Sequence, residues 1–122
     1  MTDSVEREIN LVRARERDGK LIVPVEVSSA LGLKAFGIEL AYSSEKLKFV
    51  GVLRTELTKD FVTVAGNEVR KGAARIGGYS ASGIQEIYGG TLVELVFEEL
   101  ESGGKIKIVR LEDDLSGSRV IR

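Results

Sequence analysis

Residues 34–42 read Lys-Ala-Phe-Gly-Ile-Glu-Leu-Ala-Tyr, and this stretch decides the fold class. Its large apolar side chains fall on every second residue: Phe36, Ile38, Leu40 and Tyr42. Because successive side chains of a β-strand point to opposite faces, the alternation predicts a strand with one buried face. We expect Tyr42, which continues the buried phase, to lie in the core.

The same period-two pattern recurs on both sides of this stretch, and the segments between the patterns contain residues that favour turns. The predicted strands cover 5–13, 20–28, 34–42, 47–54, 61–65, 73–80, 90–98, 105–111 and 119–121. The predicted breaks between strands include Asp18-Gly19, Ser43-Ser44, Ala65-Gly66-Asn67, Gly77-Gly78, Gly89-Gly90 and Ser102-Gly103-Gly104. Short strands at this spacing predict an all-β fold, a two-sheet antiparallel β-sandwich, in a single domain spanning 1–122.

Side chains on the inward phase of separate strands define the predicted core. The residues expected there are Phe36, Leu40, Phe49, Leu95, Phe97 and Ile106. Pro24 lies within a strand pattern, and proline cannot donate a ladder hydrogen bond. We therefore predict that it marks a bulge or an edge position.

The composition limits the chemistry that the chain can perform. Its 122 residues include no His and no Cys, the side chains most used as general bases and activated nucleophiles. We therefore expect a non-enzyme with no catalytic residue, no cofactor and no bound metal. The 18 basic and 19 acidic residues leave a net charge of -1 with no long run of one sign, which argues against nucleic acid as a partner.

Location is only partly constrained by the sequence. The first 19 residues are polar and charged, unlike a signal peptide, and no stretch approaches the ~20 apolar residues of a membrane span. Either an intracellular protein or a domain of a longer precursor fits these features. Abundant Glu, Lys and Arg, with one Met, one Gln and two Asn, is a composition associated with proteins from hot habitats.

Acidic clusters are the remaining candidates for chemistry, and a solvent-exposed role is favoured for them. Glu98 and Glu99 are consecutive in a predicted strand, so their carboxylates point to opposite faces and cannot converge on one bond. Asp113 and Asp114 lack the alternating acidic ligands of a calcium loop.

Several segments, taken in order, closely resemble a cohesin domain. They are Ile22–Val27, Leu31–Leu33, Phe36–Tyr42, Glu45–Val52, Ala74–Tyr79, Ser82–Ile84 and Gly90–Phe97. The resemblance runs from about residue 8 to residue 111. It implies a nine-stranded jelly-roll sandwich that binds the dockerin module of another protein, with the calcium carried by that partner. It also implies an extracellular or cell-surface setting within a larger protein that takes part in polysaccharide degradation.

Two departures from the cohesin pattern are visible. The usual Asp after the tyrosine of the third strand is replaced by Ser43, and we expect the final strand to be short or missing, since the sequence stops at Arg122. Cohesin-like sandwiches also resemble some carbohydrate-binding modules, so the fold by itself leaves the ligand open.

The resemblance nominates a partner-binding sheet in which strand 34–42 lies between 73–80 and 105–111, with 61–65 at the edge. The expected partner-binding residues are Gly37, Glu39, Ala41, Arg75, Gly77, Tyr79, Lys107 and Val109. Ala35 and Lys105 share their outward phase. The competing interpretation is an ordinary solvated sheet in which Glu39 pairs with Arg75 or Lys107, each pair contributing less than ~1 kcal/mol.

Two other functions stay open at this point. A carbohydrate-binding module would use Tyr79 or Tyr88, although no Trp is present to build an aromatic platform. A structural domain would self-associate through an edge strand such as 61–65. For the free chain we expect a monomer or a weak dimer, and if Tyr79 is not the binding residue, the Ser80–Tyr88 loop is the next candidate.

Overall fold

The computed structural model describes residues 7–121, which form ten β-strands. The strands are β1 (Glu8–Leu11), β2 (Arg15–Arg17), β3 (Lys20–Val27), β4 (Ala35–Tyr42), β5 (Leu47–Arg54), β6 (Thr63–Arg70), β7 (Ala73–Tyr79), β8 (Gly90–Glu99), β9 (Ile106–Asp113) and β10 (Arg119–Val120). In this part of the chain there is no helix with the length and apolar character needed to cross a membrane.

The strands form two sheets that pack face to face. One has six strands in the order β10-β1-β3-β8-β5, with β2 also paired to β3, and the other has four in the order β6-β7-β4-β9. Successive strands repeatedly change sheet, from β3 to β4, from β4 to β5 and from β7 to β8. The predicted all-β sandwich is confirmed, and β4 lies between β7 and β9 with β6 at the edge. All described strand pairs are antiparallel except β1 and β10, which run parallel.

The core is built from the predicted alternation. Phe36, Leu40, Leu95 and Phe97 are almost fully buried, and Tyr42 joins them as expected. Of the other two predicted core residues, Phe49 is buried, and Ile106 is partly buried and packs against the core. The ring of Phe97 makes edge contacts with Tyr42 and Phe49, at centroid distances of 5.3 and 5.5 Å. Such aromatic pairs add to the stabilisation that burial already provides.

Pro24 occupies a local edge inside β3. Its carbonyl accepts a hydrogen bond from the Val12 N–H at 2.9 Å, on the side where β1 ends and β2 has not yet begun. In a strand the N–H and C=O of one residue point to the same side. The N–H that proline lacks would therefore point toward Val12, one residue past the end of β1, so the missing bond falls at the end of this pairing and not inside a continuous ladder.

Three predicted boundaries are wrong, and each has a physical reason. The 5–13 prediction is replaced by β1 and the separate β2, whose residues Arg-Glu-Arg are all exposed and carry no apolar alternation; residues 5 and 6 lie outside the described residues. Ala65-Gly66-Asn67 is not a break but the middle of β6, and Gly77-Gly78 lies inside β7.

The misplaced glycines are required by packing rather than by turns. A Cβ on Gly78 would lie 2.4 Å from the ring of Phe36, and one on Gly66 would lie 3.0 Å from the ring of Phe49. By contrast, Asp18-Gly19 is a turn as predicted. Both residues have positive φ, 52° and 79°, as a two-residue hairpin between β2 and β3 requires.

Candidate partner-binding site

The outer face of the four-stranded sheet carries the predicted binding residues. We call it the flat face and define it by the outward residues of its strands: Ala35, Gly37, Glu39 and Ala41 of β4; Arg75, Gly77 and Tyr79 of β7; Thr63, Ala65 and Asn67 of β6; Lys107, Arg110 and Glu112 of β9. Cross-strand pairing arranges them in rows. Tyr79 stands between Ala35 and Thr63, and Gly77 lies directly opposite Gly37.

Small side chains make the centre of this face level. A Cβ on Gly37 would lie 2.9 Å from Oε1 of Glu112, so that carboxylate lies over the glycine. Gly77 differs, because a Cβ there would meet nothing closer than the Phe36 carbonyl oxygen at 3.4 Å. The space above Gly77 is therefore open to solvent, and nothing in the packing of the described residues requires a glycine at this position.

One ion pair crosses the flat face. Arg75 donates to Oε1 of Glu112 at 2.5 Å, reaching across β4, and Arg110 approaches the other oxygen of Glu112 at 3.4 Å. The competing interpretation, in which Glu39 pairs with Arg75 or Lys107, does not match the structure, because Arg75 is paired with Glu112. Within residues 7–121 Glu39 forms no ion pair, so its carboxylate is available near the middle of the face.

A bulge in β9 brings in residues that the sequence pattern did not identify. Glu39 pairs with Arg110 and Leu40 with Ile108, so Val109 is an extra residue and the phase changes there. Lys107 lies on the flat face as predicted, and Val109 is exposed at the bulge itself. Arg110 and Glu112 were missed because alternation alone would place them on the inner side.

The structure thus brings seven of the eight predicted partner-binding residues onto one surface, with Val109 at its margin. Their role in binding remains a prediction. The sequence analysis also did not identify the three residues of β6 on this face, Thr63, Ala65 and Asn67. Their side chains show no apolar alternation, and Asn67 lies beyond the predicted strand 61–65.

Features at the two ends of the flat face differ. At one end the side chain of Tyr79 is 52% exposed. At the other a shallow groove of about 430 Å³ is lined by Ala41, Tyr42, Ser43, Lys105, Ile106 and Lys107. Tyr42 itself is buried, and its hydroxyl donates to Glu68 at 2.5 Å. Burial and this hydrogen bond raise the pKa of Tyr42 to about 12.

Two residues of the acidic clusters, Asp114 and Glu98, contact other parts of the fold. Asp114 accepts hydrogen bonds from the N–H groups of Lys34 and Ala35 at 2.9 and 3.1 Å, where β4 begins. These bonds, the one from Lys34 first, lower the pKa of Asp114. Glu98 lies between Lys20 and Lys48 on neighbouring strands. Among the residues described, no group of three or more acidic side chains is placed to hold a metal ion.

Comparisons with known proteins identify the fold. No family profile and no curated protein sequence matches the chain. Among solved structures, the sixth cohesin of scaffoldin B from Acetivibrio cellulolyticus, in complex with a mutant Cel5 dockerin, is similar with a TM-score of 0.73 at 15% identity, covering 96% of this chain and 95% of that one. A non-cellulosomal cohesin from the hyperthermophilic archaeon Archaeoglobus fulgidus gives 0.68 at 21% identity, covering 95% and 85%.

A third similar structure is a type I cohesin from Clostridium thermocellum in the Coh-OlpA–Doc918 complex, with a TM-score of 0.67 at 16% identity and coverage of 96% and 95%. Similarity over nearly the whole length of each chain assigns the cohesin fold to this protein. At these levels of sequence identity the comparison defines the architecture, and the ligand has to be argued from the site.

Proposed function

We propose that this chain is a non-catalytic protein-binding module whose flat face binds a dockerin-type domain of another protein. Cohesins of the same fold have been solved in complex with dockerins, and their chains align with this one almost from end to end. A level sheet surface with one exposed aromatic side chain suits a helix packed across it.

The observation that carries the proposal is Gly77. Glycine in the interior of a strand is destabilising by roughly 0.5–1 kcal/mol relative to alanine, and here no packing contact requires it. A glycine that folding does not need, beside Gly37 and next to Tyr79, is explained if another molecule approaches the backbone closely at this point.

Charges around this centre would orient the partner. Glu39 lacks an ion pair within residues 7–121, and Arg75 and Arg110 share the single carboxylate of Glu112. Groups of this kind act mainly on the rate and salt dependence of association. Tyr79 would supply most of the binding energy, since aromatic side chains at interfaces commonly lose ~2 kcal/mol or more on truncation.

The setting follows from the same proposal. The calcium would belong to the partner, and the module would serve assembly or attachment at the cell surface as part of a larger protein, with polysaccharide degradation as its context. The charged composition would fit an organism from a hot habitat.

The decisive experiment measures binding of Tyr79→Ala to a panel of dockerin modules by calorimetry, with calcium and with a chelator. Binding should require calcium and weaken at least tenfold in the variant, about 1.4 kcal/mol, while the melting temperature stays nearly constant. Tyr88→Ala, in the loop before β8, is the matched control and should bind normally.

Other outcomes have definite meanings. Loss of binding in Tyr88→Ala alone would move the site to the Ser80–Tyr88 loop. Retention on polysaccharide without any protein partner, abolished by either tyrosine substitution, would replace the proposal with a carbohydrate-binding module.

A further inference from the structure

An apolar cavity lies between the two sheets along β9. Its volume is about 250 Å³, and both sheets line it, with Leu11, Val120 and Ile121 on one side and Ile106, Lys107 and Ile108 on the other. Ile121, which follows the two-residue strand β10, is 38% exposed, so the cavity is open to solvent there. Since an apolar cavity of ~150 Å³ can hold benzene, this one has room for an aliphatic side chain of another molecule.

The first half of β9 also has free backbone groups beside this cavity. β9 is the last strand of its sheet on this side. The Ser43 N–H donates to the Lys105 carbonyl at 3.0 Å, so the backbone groups of Lys105 and Lys107 are directed toward β4. The N–H and C=O groups of Ile106 and Ile108 therefore point away from the sheet. An edge of this kind can accept an extended peptide as an additional strand.

The two faces of an added strand would meet different surroundings. Its side chains opposite Ile106 and Ile108 would point inward, toward the cavity, and those between them would point outward beside Lys105 and Lys107. Both lysines are exposed, and both line the groove of about 430 Å³ at this end of the flat face. The strand that fits both sides therefore has aliphatic residues alternating with acidic ones.

The two lysines are not neutralised by the residues around them. Within residues 7–121 neither ammonium group forms an ion pair or a hydrogen bond. Glu39 lies on the diagonal from Lys107, but it stands directly opposite both Arg75 and Arg110. Their positive charge is thus available to a ligand.

A wider count of charges at this end of the sandwich gives the same sign. In 12–14, 43–46, 68–72 and 99–107 the basic residues are Arg13, Lys46, Arg70, Lys71, Lys105 and Lys107 and the acidic ones are Glu45, Glu68, Glu99 and Glu101, which gives 6 − 4 = 2 excess positive charges. The neighbouring groups cancel: Arg75 and Arg110 against Glu39 and Glu112, and Arg15, Arg17, Lys20 and Lys48 against Glu16, Asp18, Glu94 and Glu98.

The same charges disfavour a second copy of this chain as the occupant. Pairing of β9 with β9 of another molecule would bring Lys105 and Lys107 against the same lysines, and like charges on facing strands are destabilising. Edge lysines and a bulge such as the one at Val109 commonly protect a strand from self-pairing. These lysines attract an acidic strand, whereas they repel a copy of their own.

We propose that the edge of β9 from Lys105 to Ile108 binds an extended segment of a partner protein in which acidic and aliphatic residues alternate. The segment adds a fifth strand to the four-stranded sheet, its aliphatic side chains enter the cavity beside Ile121, and its carboxylates lie beside the two lysines. This site goes beyond the proposed dockerin binding and does not rest on it.

The test uses the peptide Glu-Val-Glu-Val-Glu-Val, blocked at both ends, and the free chain, followed by NMR titration and amide hydrogen exchange. The N–H groups of Ile106 and Ile108 should become protected as peptide is added. The peptide Lys-Val-Lys-Val-Lys-Val is the matched control and should bind at least tenfold more weakly. The double variant Lys105→Glu/Lys107→Glu should reverse this preference. Ile121→Asp, which places a charge at the cavity, should weaken binding of both peptides.

Controls separate this site from the rest of the molecule. Tyr79→Ala should bind the acidic peptide like the wild type, and the melting temperatures should stay nearly constant because every substituted side chain is exposed. Absence of binding, equal binding of the two peptides, an unchanged preference in the double variant, or free exchange of the two isoleucine amides would overturn the proposal. Because no dockerin is present, such a failure would leave the proposed function untouched.

Discussion

The two outer faces of the sandwich use opposite kinds of residue. On the six-stranded sheet Ile22 and Val96 are opposite each other and only 3% and 9% exposed, although they point away from the core. Val50 and Leu53 extend this aliphatic face, and the 2.6 Å ion pair of Arg15 with Glu94 lies beside it. The flat face has alanine and glycine in the corresponding central positions.

The difference separates residues that serve folding from residues that do not. Burying a side chain such as Ile22 stabilises the fold by roughly 1.5–3 kcal/mol, so the aliphatic face is explained by stability. Gly77 contributes no such burial and weakens the strand in which it lies, whereas Gly37 makes room for the Glu112 side chain above it. Gly77 therefore needs an explanation from outside the fold, which the proposed partner binding would supply.

The largest effect is expected from the adjacent glycines Gly78 and Gly77. Gly78→Ala forces a methyl group into the ring of Phe36 and should lower the free energy of unfolding by about 1–3 kcal/mol. Gly77→Ala should leave stability unchanged or raise it by up to ~1 kcal/mol, while weakening partner binding. Urea denaturation and calorimetry measure the two quantities. Equal destabilisation by both substitutions would show that Gly77 is required by packing just as Gly78 is.

A smaller effect is expected at Asp114, which anchors the start of β4 through two backbone N–H groups. Asp114→Ala should cost about 1–2 kcal/mol at neutral pH. Because the pKa of this carboxyl is lower in the folded state, its contribution is present above the ordinary value of 3.8 and is lost as the pH falls through the folded-state pKa. The difference between variant and wild type should shrink in acid; a difference independent of pH would contradict this role.

Tyr42 anchors the opposite end of β4, and Tyr42→Phe should lower stability by about 0.5–1.5 kcal/mol. The raised pKa of about 12 means that the folded state favours the protonated phenol. This contribution is complete below the ordinary value of 10.0 and is lost as the pH rises through about 12. Denaturation curves in that alkaline window should converge for the variant and the wild type. Parallel curves would indicate that Glu68 does not stabilise the hydroxyl.

The smallest effect is expected on the aliphatic face. Val50→Lys changes a side chain that is 50% exposed on the side away from the flat face. Partner binding should be unchanged within about twofold, since surface substitutions outside an interface are usually silent. Weaker binding measured by the same calorimetry would show that the partner uses the six-stranded sheet, and the comparison of the faces would have to be reversed.

The sequence predicted those parts of the molecule in which alternation and burial coincide. β3, β4 and β8 lie within a residue or two of their predicted bounds, because each presents large apolar side chains on one phase. β2 was missed because a strand of three exposed charged residues has no such signal. Gly66 and Gly78 were interpreted as turn formers, whereas they make room for aromatic rings from other strands, a long-range requirement that local sequence does not record.

The residues of the candidate site could likewise be predicted only where the strands alternate regularly. The outward residues of β4 and β7 followed from alternation, since both strands are regular. Arg110 and Glu112 could not be placed, because one extra residue at Val109 reverses the phase after it. The ion pair from Arg75 to Glu112 could not be predicted for the same reason.

That extra residue acts on β9 as an inserted base acts on a reading frame. Before Val109 the side chain of Lys107 lies on the flat face, and after it those of Arg110 and Glu112 do. All three lie on the same face only because Val109 is an extra residue between them. Deleting Val109 would turn the two charged side chains toward the core and Leu111 toward solvent. Replacing one exposed side chain of β9 therefore alters a single position, whereas a change of one residue in the length of the strand misplaces every side chain that follows.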